Sequence, residues 1–455
     1  MGRFLQFVRR SEAWHRKFKP SQIKVCFTRP GALPFTDKGS KVAVLVLRNA
    51  KVLDVAGGQL IAGRDVVVEG GRITAVHDSQ PAVSDAEVID VGGLTVMPGL
   101  IDLHVHVTAV RMDLGSQVRM PNAFVLLRTL PILERMLMRG FTTVRDAGGA
   151  ERALADAIEE GLAVGPRLFV SGRALSQTGG HGDFRARSDY LEISDACACA
   201  FRIGSVARIV DGVDAVRKAV REELQMGAHQ IKIMASGGVA SPTDPIDALG
   251  YSTDEIRAIV AEAVARHTYV MAHAYTPEAI IRAVECGVRT IEHGNLVDAE
   301  AAGVMAKNGA FAVPTLVTYR ALVEQGPALG LSPESVSKAH SVLQRGLQSL
   351  RILQDAGVKI GYGSDLLADA HLRQNEEFLI RSEVQTPQQV LAGATTIAAE
   401  VLRMEGQLGV VAEGAIADLL VLEGNPLESL QALSKPDESL RMIVKEGVIV
   451  KRNGL

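Results

Sequence analysis

Two histidines separated by one residue, His104 and His106, end an apolar run that begins at Leu100. Successive side chains of a strand point to opposite faces, so these two imidazoles point the same way. Two imidazoles on one side of a buried strand are a poor way to build an apolar core and a good way to begin a metal site. Taken alone, the pair is a weak signal for a metal site and favours the alternative, two histidines of a structural strand.

Four more residues that can bind a metal or a proton lie in or directly after other apolar, strand-like runs: Lys232, His273, His293 and Asp365. If these runs are parallel strands of one barrel, their C-terminal ends open onto a single mouth, which is where barrel enzymes place their chemistry. Four histidines and an aspartate that converge there are hard to explain as core. The sequence therefore predicts a metal site.

Lys232 is flanked by isoleucines, where a protonated lysine would be a buried and costly unpaired charge. Burial lowers the pKa of a lysine and favours the neutral amine. A neutral amine can add carbon dioxide and become a carbamate, an anion whose two oxygens can bridge two cations. The alternative is a protonated Lys232 that pairs with an acid such as Asp365.

With a carbamate, the site would hold two divalent metal ions, expected to be zinc. The ligands of one ion would be His104, His106, Lys232 and Asp365, and those of the other would be Lys232, His273 and His293. A hydroxide held between two divalent ions is a strong nucleophile near neutral pH. Asp365 would accept its proton and pass it to the leaving amine. Glu292 directly precedes His293, so strand alternation predicts that its side chain faces away from the mouth and is structural.

The elements that must position these residues alternate between strand-like and helical patterns over residues 99–403. The helical patterns include an amphipathic stretch at Val213–Met226, and the series Ser252-Thr253-Asp254-Glu255 has the composition of a capping box. Eight repeats of this kind predict a (β/α)8 barrel, with an open doubly wound sheet as the alternative. The eight candidate strands are Leu100–His106, Thr142–Asp146, Arg167–Ser171, Gln230–Met234, Tyr269–His273, Thr290–His293, Phe311–Pro314 and Lys359–Gly363.

Short β-rich runs flank this region on both sides, over residues 41–98 and 404–455. Turn residues separate the N-terminal runs at Arg48-Asn49-Ala50, Gly57-Gly58 and Gly70-Gly71. The pattern predicts a β-sandwich domain built from both ends of the chain, bracketing the barrel. Residues 1–40 carry many basic residues and no clear secretory signal, and they are expected to form a poorly ordered extension.

Composition narrows the function classes. The 455 residues are 47% hydrophobic and carry a formal net charge of -3, so no electrostatic attraction to nucleic acid or to a membrane surface is expected. No apolar run reaches the length of a membrane span. Four scattered cysteines form no disulfide framework, and Cys197-x-Cys199 has the wrong spacing for a zinc site. A cytoplasmic location is expected, with a secreted or periplasmic one left open.

Together, these residues resemble the amidohydrolase superfamily. The resemblance rests on the run Pro98–His106 with Lys232, His273, His293 and Asp365, and on Glu413–Leu419, which is similar to the closing signature of that superfamily. It covers residues 41–455 and implies a metal-dependent hydrolase with a (β/α)8 barrel and a flanking β-sandwich. The lysine implies the binuclear members, in which this residue is carboxylated.

Three further stretches, Thr178–Asp183, Met234–Val239 and Ala272–Tyr275, resemble the branch of prolidase-like enzymes, Xaa-Arg carboxypeptidases and ochratoxin amidohydrolases. This branch implies cleavage of an amide next to a free carboxylate in a dipeptide, an N-acyl amino acid or an ochratoxin-like substrate. By the same resemblance, His181 and Tyr275 would hold that carboxylate or polarise the scissile carbonyl. Alternatively, His181 is a solvated loop residue and Tyr275 packs around His273. Residues 366–375 depart from the pattern of the branch.

Two other functions stay open. One is a cyclic amide or imide hydrolase, similar to imidazolonepropionase or dihydroorotase, or a lactonase. The other is a non-catalytic scaffold, which predicts missing metal ligands, although none is missing here. The substrate is expected to be a small molecule. The resemblance also implies a homo-oligomer, with an octamer as the expected form.

Overall fold

The computed structural model describes residues 44–78, 86–185, 204–239, 241, 244–326, 328 and 331–455. The predicted extension over residues 1–40 lies outside the described residues, as does the Cys197-x-Cys199 pair. Cys286 is buried and is a free thiol. Among the helices that the structure describes, none has both the length and the apolarity needed to span a bilayer.

The described residues form strands and helices along the whole chain. The strands are β1 (Val44–Asp54), β2 (Gln59–Glu69), β3 (Arg72–Asp78), β4 (Ala86–Asp90), β5 (Thr95–Pro98), β6 (Leu100–Val105), β7 (Phe141–Asp146), β8 (Arg167–Phe169), β9 (Ala174–Ser176), β10 (Ala207–Ile209), β11 (Ile231–Met234), β12 (Val270–Ala274), β13 (Thr290–His293), β14 (Phe311–Val313), β15 (Leu419–Leu422), β16 (Leu440–Lys445) and β17 (Val448–Arg452). The helices are α1 (Leu114–Gln117), α2 (Asn122–Met138), α3 (Arg152–Glu159), α4 (Val213–Gln225), α5 (Thr253–Ala265), α6 (Pro277–Glu285), α7 (Ala299–Lys307), α8 (Leu316–Gln325), α9 (Pro333–Asp355), α10 (Glu376–Ser382), α11 (Pro387–Gly393), α12 (Thr396–Val401), α13 (Gln431–Ser434) and α14 (Pro436–Ser439), with a 3-10 helix at Ala368–Arg373.

One eight-stranded sheet combines both ends of the described chain. Its order is β17-β16-β15-β5-β1-β2-β3, and β4 pairs with β1. Alternate residues of its strands, such as Leu45 and Leu47 in β1 and Leu419 and Val421 in β15, share one buried apolar cluster. This alternation places one face of the sheet on that cluster, and the opposite face of β15 belongs to a second cluster through Leu420 and Leu422. The domain boundaries at 41–98, 99–403 and 404–455 stay a prediction.

The predicted turn at Arg48-Asn49-Ala50 is wrong. These residues lie inside β1, where the register shifts against β2 between Leu47 and Ala50. Asn49 has a φ of 57°, and its backbone N–H donates to Asp65 Oδ1 at 3.0 Å. Asparagine tolerates positive φ, so the same residue types form a bulge here rather than a chain reversal.

Parallel strands form the central region, in a three-stranded sheet β6-β7-β8 and a six-stranded sheet β10-β9-β11-β12-β13-β14. Seven of the eight predicted strands correspond to strands in these sheets, whereas β9 and β10 were not predicted. Residues 359–363 form only a bridge between Ile360 and Ala312. Their backbone nevertheless connects β14 to β6, since Gly361 N–H donates to Ala312 O at 2.8 Å and Leu103 N–H to Tyr362 O at 2.8 Å.

Helices pack around the parallel strands as their apolar periodicity predicts. In α4, Val216, Ala219 and Val220 are buried in the largest apolar cluster. The capping box at the start of α5 is present, with Ser252 and Glu255 each bonding the backbone N–H of the other. These caps fix where the helices begin, and therefore how the connecting loops leave the strand ends.

We expect Gly99→Ala to destabilise the fold by about 1–3 kcal/mol, the usual cost of overpacking. Gly99 lies between β5 and β6, and an added Cβ would lie 2.0 Å from Thr142 Oγ1. The matched control is Gly303→Ala in α7, where the added Cβ meets no atom within 4 Å. The control should gain about 0.5–1 kcal/mol through helix propensity. Urea unfolding midpoints measure both, and equal midpoints would contradict the packing argument.

Candidate metal centre

The predicted ligands come together at one end of the parallel strands. The Nε2 atoms of His104 and His106 lie 3.4 and 3.3 Å from Asp365 Oδ1, and His293 Nδ1 lies 4.0 Å from Asp365 Oδ2. Donor atoms of His104, His293 and Asp365 all lie within 4.8 Å of one another. The ring of His273 is 4.6 Å from that of His293. His273 therefore lies directly beside the other candidate ligands.

Both histidines at the end of β6 are held by the nitrogen that faces away from Asp365. His104 Nδ1 donates to Glu292 Oε2 at 2.7 Å, and His106 Nδ1 donates to Gly148 O at 2.9 Å. Each Nε2 lone pair is therefore free to accept a cation. Within the described residues, His104 Nε2 is buried and has no hydrogen-bond partner. Because such an atom is costly unless something binds it, the site fits a metal ion.

The other two histidines also have one ring nitrogen in a hydrogen bond. His273 Nε2 donates to Gly237 O at 3.0 Å, and His293 Nδ1 lies 2.8 Å from Thr315 Oγ1. Burial lowers the pKa of both imidazoles well below the usual value. They are therefore neutral near pH 7, which is the form that binds a metal.

Lys232 lies in β11 and is buried, with 1% of its surface exposed. Burial lowers the pKa of its amine to about 8. Among the residues that the structure describes, it forms neither a hydrogen bond nor an ion pair, and Asp365 instead contacts His104 and His106. The amine is thus a buried polar group whose need for a partner is unmet by the described side chains.

The predicted orientation of Glu292, away from the mouth, is wrong. Its side chain lies beneath the cluster, where Oε2 accepts from His104 and Oε1 accepts from Arg145 Nη2 at 2.9 Å. Strand alternation ends at the next residue because His293 has a φ of 72°. The sequence carried a usable signal, since Arg145 and Glu292 are opposite charges on two apolar strands and buried charges need partners.

Asp365 is positioned by the first parallel strand. Its backbone N–H donates to His104 O at 2.8 Å, and its φ is 52°. The preceding residue, Ser364, donates through Oγ to Asp102 Oδ2 at 2.6 Å, while Asp102 Oδ1 accepts from the His104 N–H. The two segments that carry His104 and Asp365 are therefore joined by side-chain as well as backbone hydrogen bonds.

His181 and Tyr275 both lie beside the cluster rather than in solvent. The His181 ring stacks on that of His273 at 4.2 Å, and its Nδ1 is 2.8 Å from Ser241 Oγ, which in turn contacts Asp244. Tyr275 stacks on the ring of His293, and its hydroxyl is 2.7 Å from that of Tyr319. Burial lowers the pKa of His181 to about 4. The solvated-loop alternative for His181 therefore does not describe this structure.

A cavity connects these groups. All of the predicted site residues line it, and its remaining wall is mostly apolar, formed by Met112, Leu114, Phe184, Val206, Met234, Val239, Thr318, Tyr319, Leu322, Leu331 and Leu367. Leu367 belongs to the stretch 366–375, which departs from the pattern of the branch. Sequence reasoning missed Tyr319 because its position depends on the tertiary packing of α8.

Residues 95–450 match the amidohydrolase family. The chain belongs to that family. It is 31% identical over 379 residues to ochratoxinase of Aspergillus niger, with 79% of this chain and 76% of the relative aligned. A crystal structure of a prolidase in complex with N-methylphosphonate-L-proline is 57% identical, with a TM-score of 0.88, and the match covers 90% of this chain and 100% of that one. A Xaa-Pro dipeptidase with bound methionine is 29% identical, with a TM-score of 0.79, over 90% of this chain and 100% of that one.

These relatives extend the family assignment. This amidohydrolase belongs to the branch that contains prolidases and ochratoxinase, as its sequence predicted, and it is a hydrolase that acts on C–N bonds. Its fold is the mixed α/β fold of the family. Family members are typically metal-dependent, and His104, His293 and Asp365 form a candidate metal site.

We expect Glu292→Gln to lower the free energy of unfolding by about 3–5 kcal/mol, because it leaves the buried Arg145 guanidinium without its counter-ion. The matched control is Glu400→Gln, which breaks an exposed pair with Lys359 and should cost less than about 1 kcal/mol. Denaturant midpoints compare the two variants. Similar small losses in both would contradict the central role of Glu292.

Proposed function

We propose that this protein hydrolyses an amide bond next to a free carboxylate in a small molecule, such as a dipeptide, an N-acyl amino acid or an ochratoxin-like amide. The observation that carries the proposal is the convergence of His104, His106, His273, His293 and Asp365 on one cavity that also contains His181 and Tyr275. A prolidase and ochratoxinase among its relatives support this substrate class. Both names denote hydrolysis of an amide whose nitrogen side bears a carboxylate.

The proposal includes a (β/α)8 barrel formed by the two parallel sheets, with residues 359–363 as the eighth strand. The backbone bonds from Gly361 to β14 and from Leu103 to Tyr362 support closure. It also includes two zinc ions held by the four histidines, Asp365 and an N6-carboxylated Lys232. When bound, such ions would lower the pKa of a water molecule so that it can attack and would polarise the scissile carbonyl.

The side chains around that centre have distinct roles in the proposal. Asp365, with Oδ1 between the imidazoles of His104 and His106, accepts the proton of the attacking water and delivers it to the leaving nitrogen. Tyr275, which stacks on His293, and His181, which stacks on His273, hold the substrate carboxylate or the carbonyl oxygen. The apolar wall excludes water from the reacting groups and holds the acyl part of the substrate.

We expect Asp365→Asn to retain the fold and to lower kcat by at least about 10³-fold, because the amide cannot accept the proton.

Lys232→Ala should lower bound metal as well as activity. Removal of metal by dialysis against a chelator should abolish turnover, and added zinc should restore it. Metal analysis, circular dichroism and steady-state kinetics check these outcomes. Full activity of Lys232→Ala with two metal ions per chain would contradict the carbamate.

A substrate panel tests the chemistry of the cleaved bond. Dipeptides and N-acyl amino acids with a free C-terminal carboxylate should be hydrolysed, and their C-terminal methyl esters should lose about 10²-fold in kcat/KM, since a charge-assisted hydrogen bond is lost. Cyclic amides, imides and lactones serve as the comparison set. Preferential turnover of the comparison set would favour a cyclic-amide hydrolase or lactonase, and no turnover of any compound would favour a scaffold.

Size-exclusion chromatography with light scattering tests the predicted homo-oligomer.

A further inference from the structure

The loop that follows β11 contacts both a candidate metal ligand and a candidate substrate-binding residue. His273 Nε2 donates to the backbone oxygen of Gly237 at 3.0 Å. His181 Nδ1 lies 2.8 Å from Ser241 Oγ. The rings of His273 and His181 stack at 4.2 Å, with an angle of 20° between their planes. The loop therefore fixes two neighbouring imidazoles of the cavity relative to each other.

The side chain of Asp244 closes this loop on itself. Its Oδ2 accepts from the Gly238 N–H at 3.1 Å, and its Oδ1 accepts from the Ser241 hydroxyl. Gly238 lies directly against the His181 ring, since a Cβ added at this glycine would lie 2.1 Å from His181 Nδ1. Ser241 is fully buried and Asp244 is 5% exposed, so these polar groups need partners within the protein. The His181 ring is thus held at its Nδ1 edge, and Nε2 is the ring nitrogen left for a ligand in the cavity that His181 lines.

Lys338, in helix α9, holds the same loop from outside the cavity. Its ammonium nitrogen lies 2.8 Å from the backbone oxygen of Asp244, and 3.4 and 3.5 Å from those of Ser241 and Gly238. The side chain is 13% exposed, whereas Glu334, the carboxylate that pairs with it at 3.9 Å, is 70% exposed. An ammonium group has three protons and no acceptor, so it can donate to several carbonyl oxygens that point at one place. Lys338 therefore fastens the loop to a helix that is distant in the sequence.

We propose that Ser241, Asp244 and Lys338 are positioning residues that hold His181 with its Nε2 toward the bound substrate. This inference rests on the proposed function and deepens it, because it assigns the residues that support His181 in substrate binding. None of these three described residues lines the cavity, so they act through His181. An imidazole that is oriented before the ligand arrives loses little rotational freedom on binding, which raises the affinity.

The two imidazoles depend on different groups of the loop. The Ser241 hydroxyl bonds His181, whereas His273 bonds the backbone oxygen of Gly237. Loss of the Ser241 hydroxyl should therefore let the His181 ring turn without removing a ligand from the metal centre. The affinity for a substrate analogue should fall while the zinc content per chain stays unchanged.

The test measures the affinity of zinc-loaded protein for N-methylphosphonate-L-proline by calorimetry, with zinc per chain and melting temperature recorded for each variant. We expect Ser241→Ala to weaken binding about tenfold, the effect of one hydrogen bond, at unchanged zinc content. Affinity within about twofold of the unmodified protein would overturn the role of Ser241. A parallel loss of zinc would indicate a general loosening of the site and would overturn it as well.

Variants of Lys338 test the contacts outside the cavity. Lys338→Met removes the ammonium group and should weaken binding about fivefold. Lys338→Arg retains a cation that can donate to the carbonyl oxygens and should stay within about twofold. The matched control is Glu334→Gln, which removes the exposed partner of the same lysine and should also stay within about twofold. Equal weakening in Lys338→Met and in either of the other two variants would overturn the role of the carbonyl contacts.

A double-mutant cycle separates positioning from a general structural effect. In a His181→Ala background, Ser241→Ala should change the affinity less than about twofold, because Ser241 acts only through His181. A further loss of about tenfold in that background would overturn the inference while leaving the proposed function intact. Failure of the unmodified, zinc-loaded protein to bind the phosphonate would contradict the proposed function and, with it, the positioning of His181.

Discussion

Burial of the Glu292 carboxylate between Arg145 and His104 is the constraint on which the rest of the site depends. Glu292 and Arg145 are fully buried, and a charge at that depth costs several kcal/mol unless it is paired. Arg145 also donates through Nε to Leu103 O at 2.7 Å, so the pair joins β6, β7 and β13. His104 can keep its Nε2 turned toward Asp365 only while its Nδ1 donates to this carboxylate. The buried ion pair between Glu292 and Arg145 therefore fixes the orientation of the His104 imidazole toward Asp365.

The eight-stranded sheet also supports the strand that carries two of the candidate metal ligands. β5 pairs with β15, and the Gly99 N–H donates to Asp418 O at 2.8 Å just before β6 begins. Arg167 at the start of β8 also contacts Asp418 through its guanidinium. Strands from the two chain ends thus hold the base of the strand that carries His104 and His106. The eight-stranded sheet therefore supports the strand that carries two of the predicted metal ligands, although none of its residues lines the cavity.

Sequence reasoning predicted the convergence of side chains whose place depends on position along a strand, and it missed contacts that depend on tertiary packing. The strand-end residues His104, His273, His293 and Asp365 could be identified because parallel strands end on one side. Glu292 was placed on the wrong side because alternation assumes extended backbone, and His293 departs from it. Residues 359–363 form a bridge rather than the predicted strand, and Gly361 approaches Leu103 so closely that an added Cβ would lie 2.4 Å from Leu103 Cδ1. No sequence pattern brings Tyr319 to Tyr275, since helix α8 alone does not define what faces it.

The four candidate histidine ligands differ from Lys232 in their hydrogen bonding, and this difference bears on the chemistry of the lysine. His104, His106 and His273 each donate from one ring nitrogen to a carboxylate or carbonyl oxygen, which fixes their tautomers before any cation binds, and His293 Nδ1 pairs with the Thr315 hydroxyl. Lys232 has no such partner among the described residues, and burial lowers the pKa of its amine. With a pKa of about 8, a fraction of the amine is neutral near pH 7, and this fraction retains the lone pair that attacks carbon dioxide. Among the described residues the Lys232 amine forms no direct hydrogen bond or ion pair, and this feature, together with its lowered pKa, is the reason that we propose its carboxylation.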